Sequence, residues 1–177
     1  MSDGFYNIKD MLVKMNEVGK EFEQDFLDYF NTLHNIKKNH SDKLASIIKL
    51  SKFKDISKVM KGEGMYIIFT NYKFVENTCN FTIGNLKAIY RGHSHGVGLR
   101  VISHLFNMKY QTIKGKTNYI SCIQLDDQIG ININLKPYNS YQWYILQLKM
   151  KKSNVFIREK AEEAFDRVFG KPLGSKK

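Results

Sequence analysis

Nowhere in these 177 residues do eighteen apolar residues run together, so no segment is long and greasy enough to cross a bilayer as a helix. The N-terminus, MSDGFYNIKDML, lacks the basic-then-apolar layout of a secretion signal. The two absences predict a cytoplasmic chain with no membrane partner. Cysteine is scarce too. Cys79 and Cys122 have no CxxC spacing and no secretory context, which argues against a disulfide and leaves too few thiolates for a zinc cage. No internal repeat or low-complexity segment occurs. Acidic residues nearly vanish from one long stretch: between Glu76 and Glu159 the only carboxylates are Asp126 and Asp127.

Basic residues fill that gap. Residues 1–60 carry ten Lys/Arg and nine Asp/Glu, whereas residues 61–177 carry eighteen and eight. Arg91, Arg100, Lys109, Lys114, Lys116, Lys136, Lys149, Lys151 and Lys152 all fall in the acid-poor stretch. Such a surface attracts polyanions over roughly a Debye length and makes their binding salt-dependent, which points to nucleic acid. With 42% hydrophobic and 13% aromatic residues, the chain can bury one main core.

Periodicity divides the chain near residue 60. Phe5, Ile8, Met11, Leu12, Met15, Val18, Phe22, Phe26, Leu27, Phe30 and Leu33 recur at spacings of three and four, predicting a long helix over 5–34. Ser41 or Asp42 then suits the cap of a second helix running to about Leu50. Beyond 61 the pattern is strand-like: GMYIIFT (64–70), LKAIYRG (86–92), NYISCIQL (118–125) and QWYILQLKM (142–150). VGLRVISHLFNM (97–108) reads as an amphipathic helix with Arg100 and His104 on its polar face. NVFIREKAEEAFDRVFG (154–170) reads as a closing helix stopped by Gly170 and Pro172. The expectation is an α+β fold, a small mixed or antiparallel sheet flanked by helices. Residues 1–60 form a helical bracing or dimerising region and 61–177 the functional domain.

Chemistry concentrates in AIYRGHSHGVGLRVISHLF (88–106). Arg100 and His104 stand at i and i+4, on one helix face. An arginine beside a glycine turn suits a phosphate, because its planar fork donates two hydrogen bonds at any working pH. His93, His95 and His104 offer a rival: three imidazoles holding zinc as a hydrolase centre.

GMY at 64–66, YRG at 90–92, Arg100, His104 and a carboxylate-bearing last helix occur in an order that resembles the GIY-YIG nuclease superfamily, over about residues 62–174. Met65 and Arg91 stand where that pattern has Ile. The resemblance implies paired antiparallel strands carrying Tyr66 and Tyr90, closed by Gly92. It also implies Arg100 as phosphate clamp, and His104 where the restriction-endonuclease-like branch has a histidine.

By the same resemblance, an acidic residue of the last helix holds one Mg²⁺ or Mn²⁺ per site. Helix phase selects Glu162, on the edge of the stripe made by Ala161, Ala164, Phe165, Val168 and Phe169, while counting back from Pro172 selects Glu163. The implied reaction is DNA phosphodiester hydrolysis leaving 5′-phosphate and 3′-hydroxyl ends. Tyr66 would take the proton of water, His104 would accept or relay it, and Tyr90 would orient the water. Arg91, His93, His95, Lys149 and Lys151 are expected on the DNA backbone. The implied partners are double-stranded DNA, with structured RNA as an alternative, and a second copy in a homodimer of restriction type. The alternative to an enzyme is a catalytically inactive nucleic-acid-binding protein of the same fold.

Overall fold

The computed structural model describes residues 7–74, 76–106, 123–125, 128, 129 and 131–175. Its centre is a five-stranded antiparallel sheet in the order β1 (Ala45–Leu50), β7 (Trp143–Lys149), β2 (Gly64–Thr70), β4 (Leu86–Ser94), β3 (Thr82–Ile83), with a separate two-stranded ribbon of β5 (Gln124–Leu125) and β6 (Gln128–Ile129). Helices α1 (Ile8–Asn31) and α3 (Val155–Phe169) pack on one face, and the short helix α2 (Val97–Leu105) lies on the other. The α+β architecture is therefore the expected one. Of the expected strand over 118–125, residues 118–122 lie outside the described residues. No helix among the described residues is long and apolar enough to cross a membrane.

The two faces have separate cores because strand residues alternate. Met65, Ile67 and Phe69 of β2 meet Phe30 of α1 and Ala161, Ala164, Phe165 and Phe169 of α3. Tyr66 and Ile68 meet Val97, Val101 and Leu105 of α2. Helix α3 starts where the Asn154 side chain accepts the Ile157 N–H at 2.9 Å, and it ends at Gly170 with φ +77°, a conformation that favours glycine.

The helix expected through Leu50 is instead strand β1, paired with β7 from Ala45–Leu148 to Leu50–Trp143. Asp42 does cap the N–H groups of Leu44 and Ala45, at 2.7 and 2.6 Å, but the chain then extends and sends Ile47 and Ile48 to opposite cores. β-Branched residues fit that pleated, two-sided burial better than a helix. A 3₁₀ turn, Phe53–Lys58, follows beneath α2. Its Asp55 accepts the N–H groups of Ser51 and Lys52, which hold the buried carboxyl down at about 2. Residues 45–58 thus belong to the sheet and its α2 face, not to a separate helical region.

Candidate phosphate site

A β-bulge decides where Tyr90 points. β2 pairs Ile68 with Tyr90 but Phe69 with Ala88, so Ile89 is extra. Leu86 and Ala88 face α3, and simple alternation would send Tyr90 there as well. The inserted residue reverses the parity, and both Ile89 and Tyr90 join the α2 face. Tyr66, opposite Gly92, lies on that face too, with the two rings stacked 5.8 Å apart. Gly92 is the floor beneath them: a Cβ there would stand 2.8 Å from the Tyr90 hydroxyl and 2.9 Å from that of Tyr66.

Helix α2 completes the pocket. Its start is docked by the Val97 and Gly98 N–H groups on the carbonyls of Gly62 and Met60. The Arg100 guanidinium stands close enough to Tyr66 and Tyr90 for both phenols to act on its charge. His104 Nε2 lies 2.9 Å from the Tyr66 hydroxyl, and the Ile123 N–H donates to its Nδ1 at 3.0 Å. The expected polar face of α2 is therefore an inward one, with His104 only 1% exposed. Tyr66, Tyr90, Arg100 and His104, drawn from two strands and one helix, converge as the sequence predicted.

Their protonation differs from expectation. A backbone N–H only donates, so His104 Nδ1 is the acceptor and the ring proton sits on Nε2, aimed at Tyr66. Burial, with Arg100 second, holds His104 well below the ordinary imidazole value. It cannot take a proton from Tyr66 in this arrangement. Burial and then Tyr90 push the Tyr66 phenol well above its usual value, against the pull of Arg100, so Tyr66 is a neutral hydroxyl rather than a ready base.

The remaining predicted residues lie elsewhere. Arg91 does face away from Tyr90, and there its guanidinium is engaged by two carboxylates of α3. Its Nε and Nη2 grip Asp166 at 3.0 and 2.6 Å, and its Nη1 holds Glu162 at 2.7 Å. Glu162 is thus on the α3 face, across the sheet from the tyrosines. Burial drives its carboxyl up to about 7, outweighing the attraction of Arg91. Glu163 is exposed and pairs with Lys160.

His93 and His95, expected on DNA, instead accept from the fully buried Arg158: its Nε reaches His93 Nδ1 at 3.4 Å and its Nη2 reaches His95 Nε2 at 3.0 Å. Lys149 and Lys151 are exposed at the end of β7, where Lys149 is level with Gly64. Ser175, near the C-terminus, accepts the Arg91 N–H at 2.8 Å and fastens the tail along β4.

These placements test the expected metals. His93 and His95 lie across the sheet from His104, which dissolves the three-histidine zinc centre. Among the described residues no group of three His, Cys, Asp or Glu could hold an ion. Around the tyrosines the described donors are phenols, an imidazole N–H and a guanidinium, a set that fits an anion and does not fit Mg²⁺ or Mn²⁺. Asp126 and Asp127 fall outside the described residues.

Counting charge by halves hid a cluster of four lysines that straddles the division at residue 60. Lys52, Lys54, Lys58 and Lys61 are exposed on and after the 3₁₀ turn that docks α2, hence on the pocket's side of the sheet. The dense SKFKDISKVMK (51–61) was the available signal. No family model matches this chain, and no curated protein or solved structure matches it.

Proposed function

We propose that this chain is a nuclease of the GIY-YIG kind that cleaves phosphodiester bonds in double-stranded DNA. The convergence of Tyr66, Tyr90 and Arg100 over Gly92 carries this reading. Three separate elements, one of them bulged, bring two hydroxyls and a guanidinium to one point. Among the described residues no carboxylate forms an ion pair with Arg100, so its charge is free for a phosphate. The lysines at 52, 54, 58 and 61 extend the positive surface along a duplex backbone. Arg100 and Tyr90 would hold the scissile phosphate and stabilise the charge that gathers on its oxygens.

The first half of α1 supports a homodimer. Ile8, Met11, Leu12, Met15 and Val18 are exposed, although they continue the stripe that Phe26 and Phe30 bury against α3. A second reading, phosphate binding without hydrolysis, is favoured by the lack of a described carboxylate at the pocket.

Supercoiled plasmid, incubated with the protein with and without Mg²⁺ or Mn²⁺, decides between them. Nicking that Arg100→Ala abolishes, with DNA binding weakened but measurable, supports the nuclease. Retention by wild type with no cleavage under any of these conditions leaves the binder.

A further inference from the structure

The hydrogen bonds of the pocket run in one direction. Ile123 donates its N–H to His104 Nδ1, which commits the ring proton to Nε2 and aims it at the Tyr66 oxygen. Tyr66 accepts from His104, which leaves its own hydrogen to turn toward Tyr90, whose ring is stacked 5.8 Å away and whose hydroxyl converges with it over Gly92. With the Tyr66 hydrogen turned to its oxygen, Tyr90 directs its own hydrogen outward, beside Arg100. Tyr66 and His104 are 0% and 1% exposed, while Tyr90 and Arg100 are only half-buried. The buried pair is therefore the base of the chain and the half-buried pair its open end.

We infer that His104 is a positioning residue: locked in one tautomer by Ile123, it orients the hydroxyl chain through Tyr66 so that Tyr90 O–H and Arg100 together present donors to one anionic oxygen. Tyr66 relays polarisation and moves no proton. Such preorganised donors need no reorientation when an anion arrives, which is where their advantage over water lies. An imidazole with the opposite tautomer would turn the Tyr66 hydrogen inward and leave Tyr90 without a donor behind it. Among the described residues, the titratable groups facing Tyr66 are Tyr90 on β4 and Arg100 and His104 on α2.

The catalytic consequence rests on the nuclease reading, but the chain itself does not, and the tests separate them. Nitrogen-detected NMR of the imidazoles in the full-length wild-type protein reads the tautomer directly. The expected result is an unprotonated Nδ1 and a protonated Nε2 on His104, unchanged between pH 8 and 5.5. An Nδ1–H ring, or titration near 6.5, overturns the inference whether or not DNA is cut.

Calorimetry with inorganic phosphate reads the open end. His104→Leu is expected to weaken phosphate about tenfold, as Tyr90→Phe does, while His104→Gln, whose amide can donate to Tyr66, recovers most of it. Equal phosphate affinity in wild type, Tyr90→Phe and His104→Leu would overturn the inference. Phosphate binding with this pattern but no cleavage would leave it standing and remove the nuclease reading alone.

Discussion

Gly92 and Tyr66 face each other across β4 and β2 so closely that a single added carbon on Gly92 would stand 2.9 Å from the Tyr66 hydroxyl and 2.7 Å from the Tyr90 ring. Contacts that short force something to shift. Gly92→Ala should therefore displace one or both phenols and cost ~1–3 kcal/mol of stability, the usual penalty of an overpacked interior. DNA nicking should fall at least tenfold. A variant that melts and nicks like wild type would show that the two hydroxyls do not share this floor.

Arg91 ties β4 to α3 through Glu162 and Asp166, with side chains only 11%, 15% and 23% exposed. Arg91→Met leaves two crowded carboxylates without their cation. A loss of ~3 kcal/mol is expected in urea unfolding, since removing one partner of a buried pair costs more than the pair contributes. Arg91→Met combined with Asp166→Asn should cost less than the sum of the single changes. Strict additivity would mean that the bidentate contact carries no coupling.

The sequence made the site half legible. Tyr66, Tyr90, Arg100 and His104 could be read because strand–turn–helix order and the i, i+4 spacing are local properties. The bulge at Ile89 could not, because it exists only as a mismatch between two strands, and it alone decides which face Tyr90 takes. Arg91 likewise read as a phosphate contact until α3, some seventy positions later, was placed beneath it. The LASIIKL segment was misjudged for a related reason: Asp42 makes the same capping bonds ahead of a strand as ahead of a helix, and pairing with β7 breaks the tie. The closing helix and its Gly170 exit were read correctly, since cap and stripe agreed.

Acid should loosen the end of the sheet around His93. Burial and then Arg158 hold this imidazole below its ordinary value. The unfolded chain therefore takes up a proton below about 6.5 while the folded one resists it, so stability is full above 6.5 and falls as the pH drops toward the folded value. Arg158, Arg91 and His95 add positive charge around the ring, and Glu159 offsets part of it. His104, buried across the sheet and shifted the same way, adds to the loss. Glu162, raised to about 7 by burial, works in the opposite direction over this interval, because the folded chain takes up its proton before the unfolded one. The contribution of His93 is therefore read as a difference: between pH 7 and pH 5, His93→Gln, whose amide oxygen can still accept from Arg158, should lose less melting temperature, or gain more, than wild type. Parallel slopes for the two proteins would remove His93 from the explanation.

The exposed stretch of α1 makes the last prediction. Ile8, Met11, Leu12, Met15 and Val18 stand 72%, 52%, 55%, 52% and 44% exposed, whereas Gly19, one turn after Met15, is so tightly covered that a Cβ would come within 2.8 Å of Phe156. The stripe is continuous and only its partner ends. Spacings of three, four and three between Ile8, Met11, Met15 and Val18 read the same in either direction. An antiparallel second copy would therefore set Ile8 against Val18 and Met11 against Met15, as a two-fold interface requires. Light scattering coupled to size exclusion should give a dimer at micromolar concentration. Met11→Glu with Met15→Glu should give a monomer with an unchanged melting curve for the remaining fold, because neither side chain supports the sheet. A wild-type monomer at every concentration would remove the homodimer while leaving the pocket of Tyr66, Tyr90 and Arg100, which lies on the other face, untouched.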